Sequence, residues 1–181
     1  ATPKDDYPAA LQSISELVHS TETELGESGT VGIGTPGSLS PVSGLLRNCS
    51  STWLNKQPFK QDMEALLGRE IRISNDANCF ALSEAIDGSG CGARSVFGVI
   101  IGTGCGGGLV IDGKLIDGPL GIGGEWGHNP LPWAMVDEIP GPHCWCGRYG
   151  CLEAWVSGPS LEGQYLAASG RALSATQIAE A

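Results

Sequence analysis

The 181-residue chain carries 20 acidic and 10 basic residues, a formal net charge of −10. No Lys or Arg cluster relieves that charge, which argues against a nucleic-acid groove, since such a groove must neutralise phosphates. With 41% apolar residues and a mean hydropathy of zero, it reads as one sizeable globular domain or two small ones, with no transmembrane run and no signal peptide expected.

Seven cysteines, an odd number, lie partly in apolar and glycine-rich surroundings and suit a reducing cytoplasm better than a disulfide framework. The 28 glycines are about double the usual ~7% share and point to turns and loops that exploit backbone geometry.

After an extended lead-in, Leu11, Ile14, Leu17 and Val18 recur at helical spacing and predict an amphipathic helix ending at Gly26, with His19 as a solvated surface residue. Thr30-Val31-Gly32-Ile33-Gly34 predicts a short strand, closed by Thr35-Pro36-Gly37. The loop beyond lies at a strand's carboxyl end, where open α/β sheets bind ligands. Gly37 and residues 48–55 are therefore expected to border a pocket, with Trp53 as core plug or pocket wall. Phe59 to Leu67 predicts a second helix stopped by Gly68. Ile71-Arg72-Ile73 predicts a strand that delivers Asn75-Asp76-Ala77-Asn78 to a helix running from Ala77 to Asp87. Asp76 thus stands at a strand-to-helix junction. It is either an ordinary N-cap or a general base that accepts a proton from a substrate hydroxyl.

Gly88-Ser89-Gly90-Cys91-Gly92 reads as a hinge, because three glycines in five residues do not hold regular structure cheaply. It sets two expected units, residues 1–92 and 93–181. Ser95 to Ile101 is a buried-strand run that leads into Gly102-Thr103-Gly104-Cys105-Gly106-Gly107-Gly108. A second strand over Leu109 to Ile111 and a reversal at Asp112-Gly113 complete a β-hairpin pattern. No helix follows the glycines, which rules against a dinucleotide fingerprint or a P-loop. Gly102, Thr103 and Gly104 form either a phosphate-cradling nest or simply a tight hairpin.

Three cysteines within eight residues, Cys144, Cys146 and Cys151, follow His128 by sixteen positions or more. Soft thiolate and imidazole donors in that number form the closed Cys3His shell of a structural zinc site over residues 128–151. A disulfide from Cys151 to Cys144 or Cys146, or buried free thiols, is the alternative, and His143 is a rival ligand to His128. Leu152 to Val156 then predicts a helix, interrupted at Gly158-Pro159 and resumed over Ser160 to Ala168, and Ser174 to Gln177 is a capping box.

Taken in order, Gly32-Ile33-Gly34-Thr35-Pro36-Gly37, Asn75-Asp76-Ala77-Asn78, Ile101 to Gly106, Gly124-Glu125-Trp126-Gly127-His128 and Cys144 to Glu153 resemble the ROK family of repressors and sugar kinases. Within it the chain is most similar to bacterial fructokinases, through Ser51-Thr52-Trp53-Leu54-Asn55 and His128 to Trp133. The resemblance implies an α/β, actin-like (ribonuclease-H-like) fold of two lobes with an inserted zinc-binding loop. It implies transfer of the ATP γ-phosphate to a hexose, fructose first, with Mg²⁺ accompanying the nucleotide, structural Zn²⁺, and homodimers as in other members. Carried over by motif, Asp76 is the base, Asn75, Glu125, His128 and Glu153 bond the sugar hydroxyls, and Gly102, Thr103 and Gly104 meet phosphate. The family's opening Asp-Leu-Gly-Gly-Thr-Lys-type hairpin and its late Gly-Gly-Gly segment have no counterpart here. The chain is therefore expected to be truncated at both ends, with an unpaired edge on the Val31 strand. A non-catalytic sugar-binding regulator and an inactive fragment are the other readings.

Overall fold

A computed structural model describes residues 2–180. The first helix, α1 (Tyr7–Leu25), starts where Asp6 accepts the Ala9 N–H at 3.0 Å and Pro8 occupies the first turn. It stops where Gly26 turns left-handed at φ 70° and returns its N–H to the Glu22 carbonyl. Both are local signals that no tertiary contact has to enforce. Ala10, Leu11 and Ser15 are buried and Ile14 packs beside them, whereas Leu17 is 66% exposed. The apolar stripe is thus narrower than the sequence spacing predicts.

Strand β1 (Val31–Thr35) and helix α2 (Phe59–Leu67) flank a short antiparallel pair, β2 (Ser38–Leu39) and β3 (Leu46–Arg47), before β4 (Ile71–Asn75). β4 lies parallel to β1 in the register Val31↔Ile71 to Thr35↔Asn75, as a crossover through a helix requires. Among the described residues this sheet has only these two strands, so β1 keeps an unpaired edge. Leu11, Leu46, Cys49, Leu54, Phe59, Met63 and Ile71 form the core, with Val31, Ile33, Trp53 and Ile73 packed against it. Full burial of side chains such as Phe59 and Met63 stabilises by about 1.5–3 kcal/mol each. The loop after β3 is tied by Asn55, which accepts the Cys49 N–H at 2.9 Å and donates to the Cys49 carbonyl at 3.2 Å. A cavity of about 640 Å³ opens beside it, lined by Ile33–Pro36, Ser50–Leu54 and Phe59 among others. Trp53 is therefore both core plug and cavity wall. Gly37 is outside that lining and instead packs so tightly that a Cβ would lie 2.3 Å from the Arg47 carbonyl.

Helix α3 (Asp76–Ile86) follows β4 without a linker. β5 (Ser95–Ile101), β6 (Cys105–Ile111) and β7 (Lys114–Leu115) then form an antiparallel meander. The hairpin pairing is as predicted, but β5 is not the buried strand expected, since Phe97, Val99 and Ile101 are 49%, 48% and 59% exposed. β6 begins at Cys105, so glycines 106–108 lie inside the strand and not in the turn. Residues 88–92 are consecutive turns pinned by Glu84, which takes the Ser89 N–H on its carboxylate and the Gly90 N–H on its carbonyl. After a long stretch with little regular structure come α4 (Leu152–Val156), α5 (Gly158–Ser169) and α6 (Ala175–Ala179), the last started by a Ser174–Gln177 capping box. The described residues group into two compact units, 2–79 with 117–122, and 80–116 with 123–180. No helix among them is long and apolar enough to cross a membrane.

Candidate functional site

The first group of candidate residues stands where β4 becomes α3. The sequence leaves Asp76 as N-cap or base, and the structure places the cap one residue earlier. The Asn75 side-chain oxygen accepts the Asn78 N–H at 3.2 Å, the usual reach of a capping side chain. Asp76 is exposed, and one oxygen, Oδ1, takes both the Ala77 N–H at 2.8 Å and the Asn75 amide at 3.1 Å. Its second oxygen lies outside these two bonds. Behind it, Asn78 is 5% exposed and donates from Nδ2 to Asp117 Oδ1 at 3.0 Å, while its own Oδ1 is buried without a partner. Neither Asn78 nor Asp117 is a candidate in the sequence reading. Only the Asn-Asp-Ala-Asn spacing hints at Asn78, and no local signal points to Asp117. The 117–122 stretch is also held by the Arg47 guanidinium, which donates to the Leu120 carbonyl.

The second group lies on the meander and the segment after it. Gly102 and Thr103 form the exposed tip between β5 and β6. The Gly102 N–H bonds to the Gly104 carbonyl at 2.9 Å, and the Gly102 carbonyl accepts the Gly158 N–H at 2.8 Å. The glycines of β6 let residues 124–127 lie flat against the strand. A Cβ on Gly107 would meet the Gly124 carbonyl at 3.0 Å, and one on Gly127 would meet the Cys105 carbonyl at 2.3 Å. Trp126 locks this packing by donating its indole N–H to the Gly106 carbonyl at 2.6 Å. That arrangement carries exposed Glu125 and half-buried His128. Glu153, at the start of α4, accepts the Cys105 N–H on Oε2 at 2.8 Å and the Trp145 indole N–H on Oε1.

His128, Cys144, Cys146 and Cys151 bring their ligand atoms within 4.8 Å of one another. Cys144 Sγ lies 3.5 Å from His128 Nδ1, and Cys146 Sγ lies 3.7 Å from Cys151 Sγ. With metal–sulfur bonds of about 2.3 Å and metal–nitrogen bonds of about 2.0–2.1 Å, the edges of a zinc tetrahedron are about 3.6 Å and 3.8 Å. The residues fit such an ion. The sulfurs are too far apart for a disulfide, and all seven cysteines are free thiols. His143 is outside the cluster, edge-to-face with Tyr149 at 5.0 Å between ring centroids. Burial, and then the two neighbouring thiols, push the Cys151 thiol up to about 12, so an ion entering here must displace protons.

A model of the ROK family matches residues 1–181. The chain belongs to the ROK family. It is 42% identical over 181 residues to an N-acetyl-D-glucosamine kinase of Pectobacterium atrosepticum, an alignment covering 98% of this chain and 60% of that protein. Among solved structures it resembles the ROK hexokinase of Thermus thermophilus, with a TM-score of 0.80 and 34% identity over 96% of this chain and 56% of the other. A ROK glucokinase of Streptomyces griseus, solved with glucose and AMPPNP, gives a TM-score of 0.74 and 30% identity over 94% and 53%. The fold is accordingly the α/β, actin-like fold of ROK sugar kinases. This ROK chain spans about 60% of the length of the curated relatives it matches.

Proposed function

We propose that the chain belongs to an ATP-dependent sugar kinase, with N-acetylglucosamine as the preferred acceptor. Support comes from its likeness to N-acetylglucosamine kinases and to a hexokinase and a glucokinase of the same family. Fructose, the acceptor expected from the sequence, has no counterpart among these relatives. The observation that carries the reading is the division of labour between Asn75 and Asp76: the amide caps α3, and the carboxylate stays exposed with one oxygen outside its local bonds.

In this reading Asp76 Oδ2 accepts the proton of the attacking sugar hydroxyl, a contribution of about 10²–10⁴-fold. Asn75, Glu125, His128 and Glu153 bond the other hydroxyls, and a site built from such acceptors rejects sugars that lack them. Gly102 uses its N–H within the turn, so phosphate would find its donors at Thr103 and Gly104. The nucleotide brings Mg²⁺, whose chemistry is to neutralise charge on the phosphates. His128, Cys144, Cys146 and Cys151 would hold Zn²⁺ in a closed shell, structural in role.

Calorimetry with N-acetylglucosamine, glucose, mannose and fructose, and a coupled ADP assay with Mg-ATP, test this. Binding of N-acetylglucosamine ahead of fructose is expected. Asp76→Asn should keep that binding while phosphoryl transfer falls by about 10²–10⁴. A chain that binds no hexose would overturn the reading.

A further inference from the structure

Trp145 stands between two cluster cysteines, Cys144 and Cys146, and no motif in the sequence assigns it a role. Its ring sits edge-to-face on His128, with centroids 4.9 Å apart and planes at 79°. Its indole N–H donates to Glu153 Oε1. The other oxygen of Glu153 accepts the Cys105 N–H at 2.8 Å, at the point where the Gly102–Gly104 turn enters β6. A continuous series of contacts therefore runs from the Cys–His cluster through Trp145 and Glu153 to the glycine turn. We propose that Trp145 is a positioning residue: it makes the orientation of the Glu153 carboxylate, and the anchoring of the turn at Cys105, depend on closure of the Cys–His cluster.

The physical basis is the number of ways Glu153 could otherwise point. A glutamate on the first turn of a five-residue helix has three side-chain torsions to fix and little around it to fix them. Two N–H donors, one on each oxygen, define the plane of the carboxylate. Each oxygen keeps a further lone pair for a ligand hydroxyl. The first donor is backbone in a paired strand and does not wander. The second is a side chain 65% exposed to solvent, where water competes for both partners. What holds that ring is its surroundings: cluster cysteines at the residues before and after it, and the imidazole of a third cluster member in edge-to-face contact with it. Close the cluster and the indole has one place to be; open it and the ring can rotate away. Gly104 completes the arrangement, since a Cβ there would lie 2.7 Å from Glu153 Oε2.

The test uses the whole chain, ¹⁵N-labelled, with Zn²⁺ as the probe ion. The Trp145 indole N–H resonance is assigned by its disappearance in Trp145→Phe. It is expected downfield and slow to exchange. Glu153→Ala should move it upfield, and removal of zinc by a chelator should move it the same way, with restoration on adding Zn²⁺. Trp145→Phe keeps an aromatic ring on His128, so it should retain one zinc per chain and an unchanged melting midpoint, yet its Cys105 amide should exchange faster. A chain that takes up no zinc, or an indole resonance indifferent either to Glu153→Ala or to zinc removal, would overturn the proposal. One consequence rests on the sugar-kinase reading: Trp145→Phe should weaken N-acetylglucosamine binding by about tenfold, the equivalent of one hydrogen bond. If the unaltered chain binds no sugar, that reading fails, while the indole and amide signals still decide whether Trp145 couples the cluster to Glu153. If it binds sugar and Trp145→Phe binds it equally well, Trp145 does not position Glu153.

Discussion

The two groups of candidate residues are held in place by different means. Asn75 and Asp76 stand at the end of a strand in register with β1 and on the first turn of an eleven-residue helix. Leu46, Phe59, Met63 and Ile71 lie in the core of the same unit. Residues 123–153 contain no strand longer than the isolated bridges Pro130↔Cys151 and His143↔Tyr149, one three-residue 3₁₀ helix (Val136–Glu138) and the start of a short helix. Glycines that admit backbone against backbone, a four-residue Cys–His cluster and single side-chain hydrogen bonds position Glu125, His128 and Glu153. Distributed burial resists the loss of any one contact. A few point contacts do not, so the second region should come apart one contact at a time.

The sharpest way to break this comparison is to remove one cluster ligand. Cys146→Ser should abolish stoichiometric zinc, a structural ion of this kind contributing about 10 kcal/mol or more of apparent binding free energy. Hydrogen exchange measured by mass spectrometry should then accelerate over residues 124–153 and stay slow in β4. Equal acceleration in both regions would remove the contrast. In the other direction, Met63 is fully buried, and Met63→Ala should cost about 3 kcal/mol in denaturant unfolding while leaving zinc content unchanged. Gly127→Ala sets a Cβ against the Cys105 carbonyl and should cost about 2 kcal/mol, with fluorescence of Trp126 reporting displacement from β6. Cys49 supplies the smallest contrast, seen only in alkali. Burial, and secondarily the Asp76 carboxylate, push its thiol up to about 11 from the ordinary 9.0. Between those values the folded chain keeps a proton that the unfolded chain has released. Stability that is full below pH 9 is therefore lost as pH rises towards 11. Cys49→Ala should flatten that decline in melting temperature.

What the sequence made legible follows the same division. Gly26, Gly68 and the Ser174–Gln177 box mark helix ends because each acts on backbone groups within a few residues, whereas Asp6, read within the extended lead-in, is the cap of α1. The Cys and His spacing likewise pointed to a four-donor cluster with His128 as its nitrogen donor, and the rival, His143, lies outside it against Tyr149. Features that depend on distant partners were hidden. Glycines 106–108 read as a loop until residues 124–127 are seen lying on them. The two-residue strands β2 and β3 have no periodicity to detect. Asp76 looked like a cap because the competing cap, Asn75, is itself the last residue of a strand.

The path of the chain through residues 117–122 bears on its birth. Asn78 and Asp117 are 39 positions apart, and Arg47 and Leu120 are 73 apart. At about 5–20 residues per second on the ribosome, the Asn78 amide waits roughly 2–8 seconds for its carboxylate. During that interval the nascent first unit has its helices and both sheet strands but not the strap that closes over Asn78. The strap emerges only after the meander has been made. Translation speed between codons 78 and 120 is therefore a variable to which the yield of correctly closed chains should respond, independently of the stability of the finished fold.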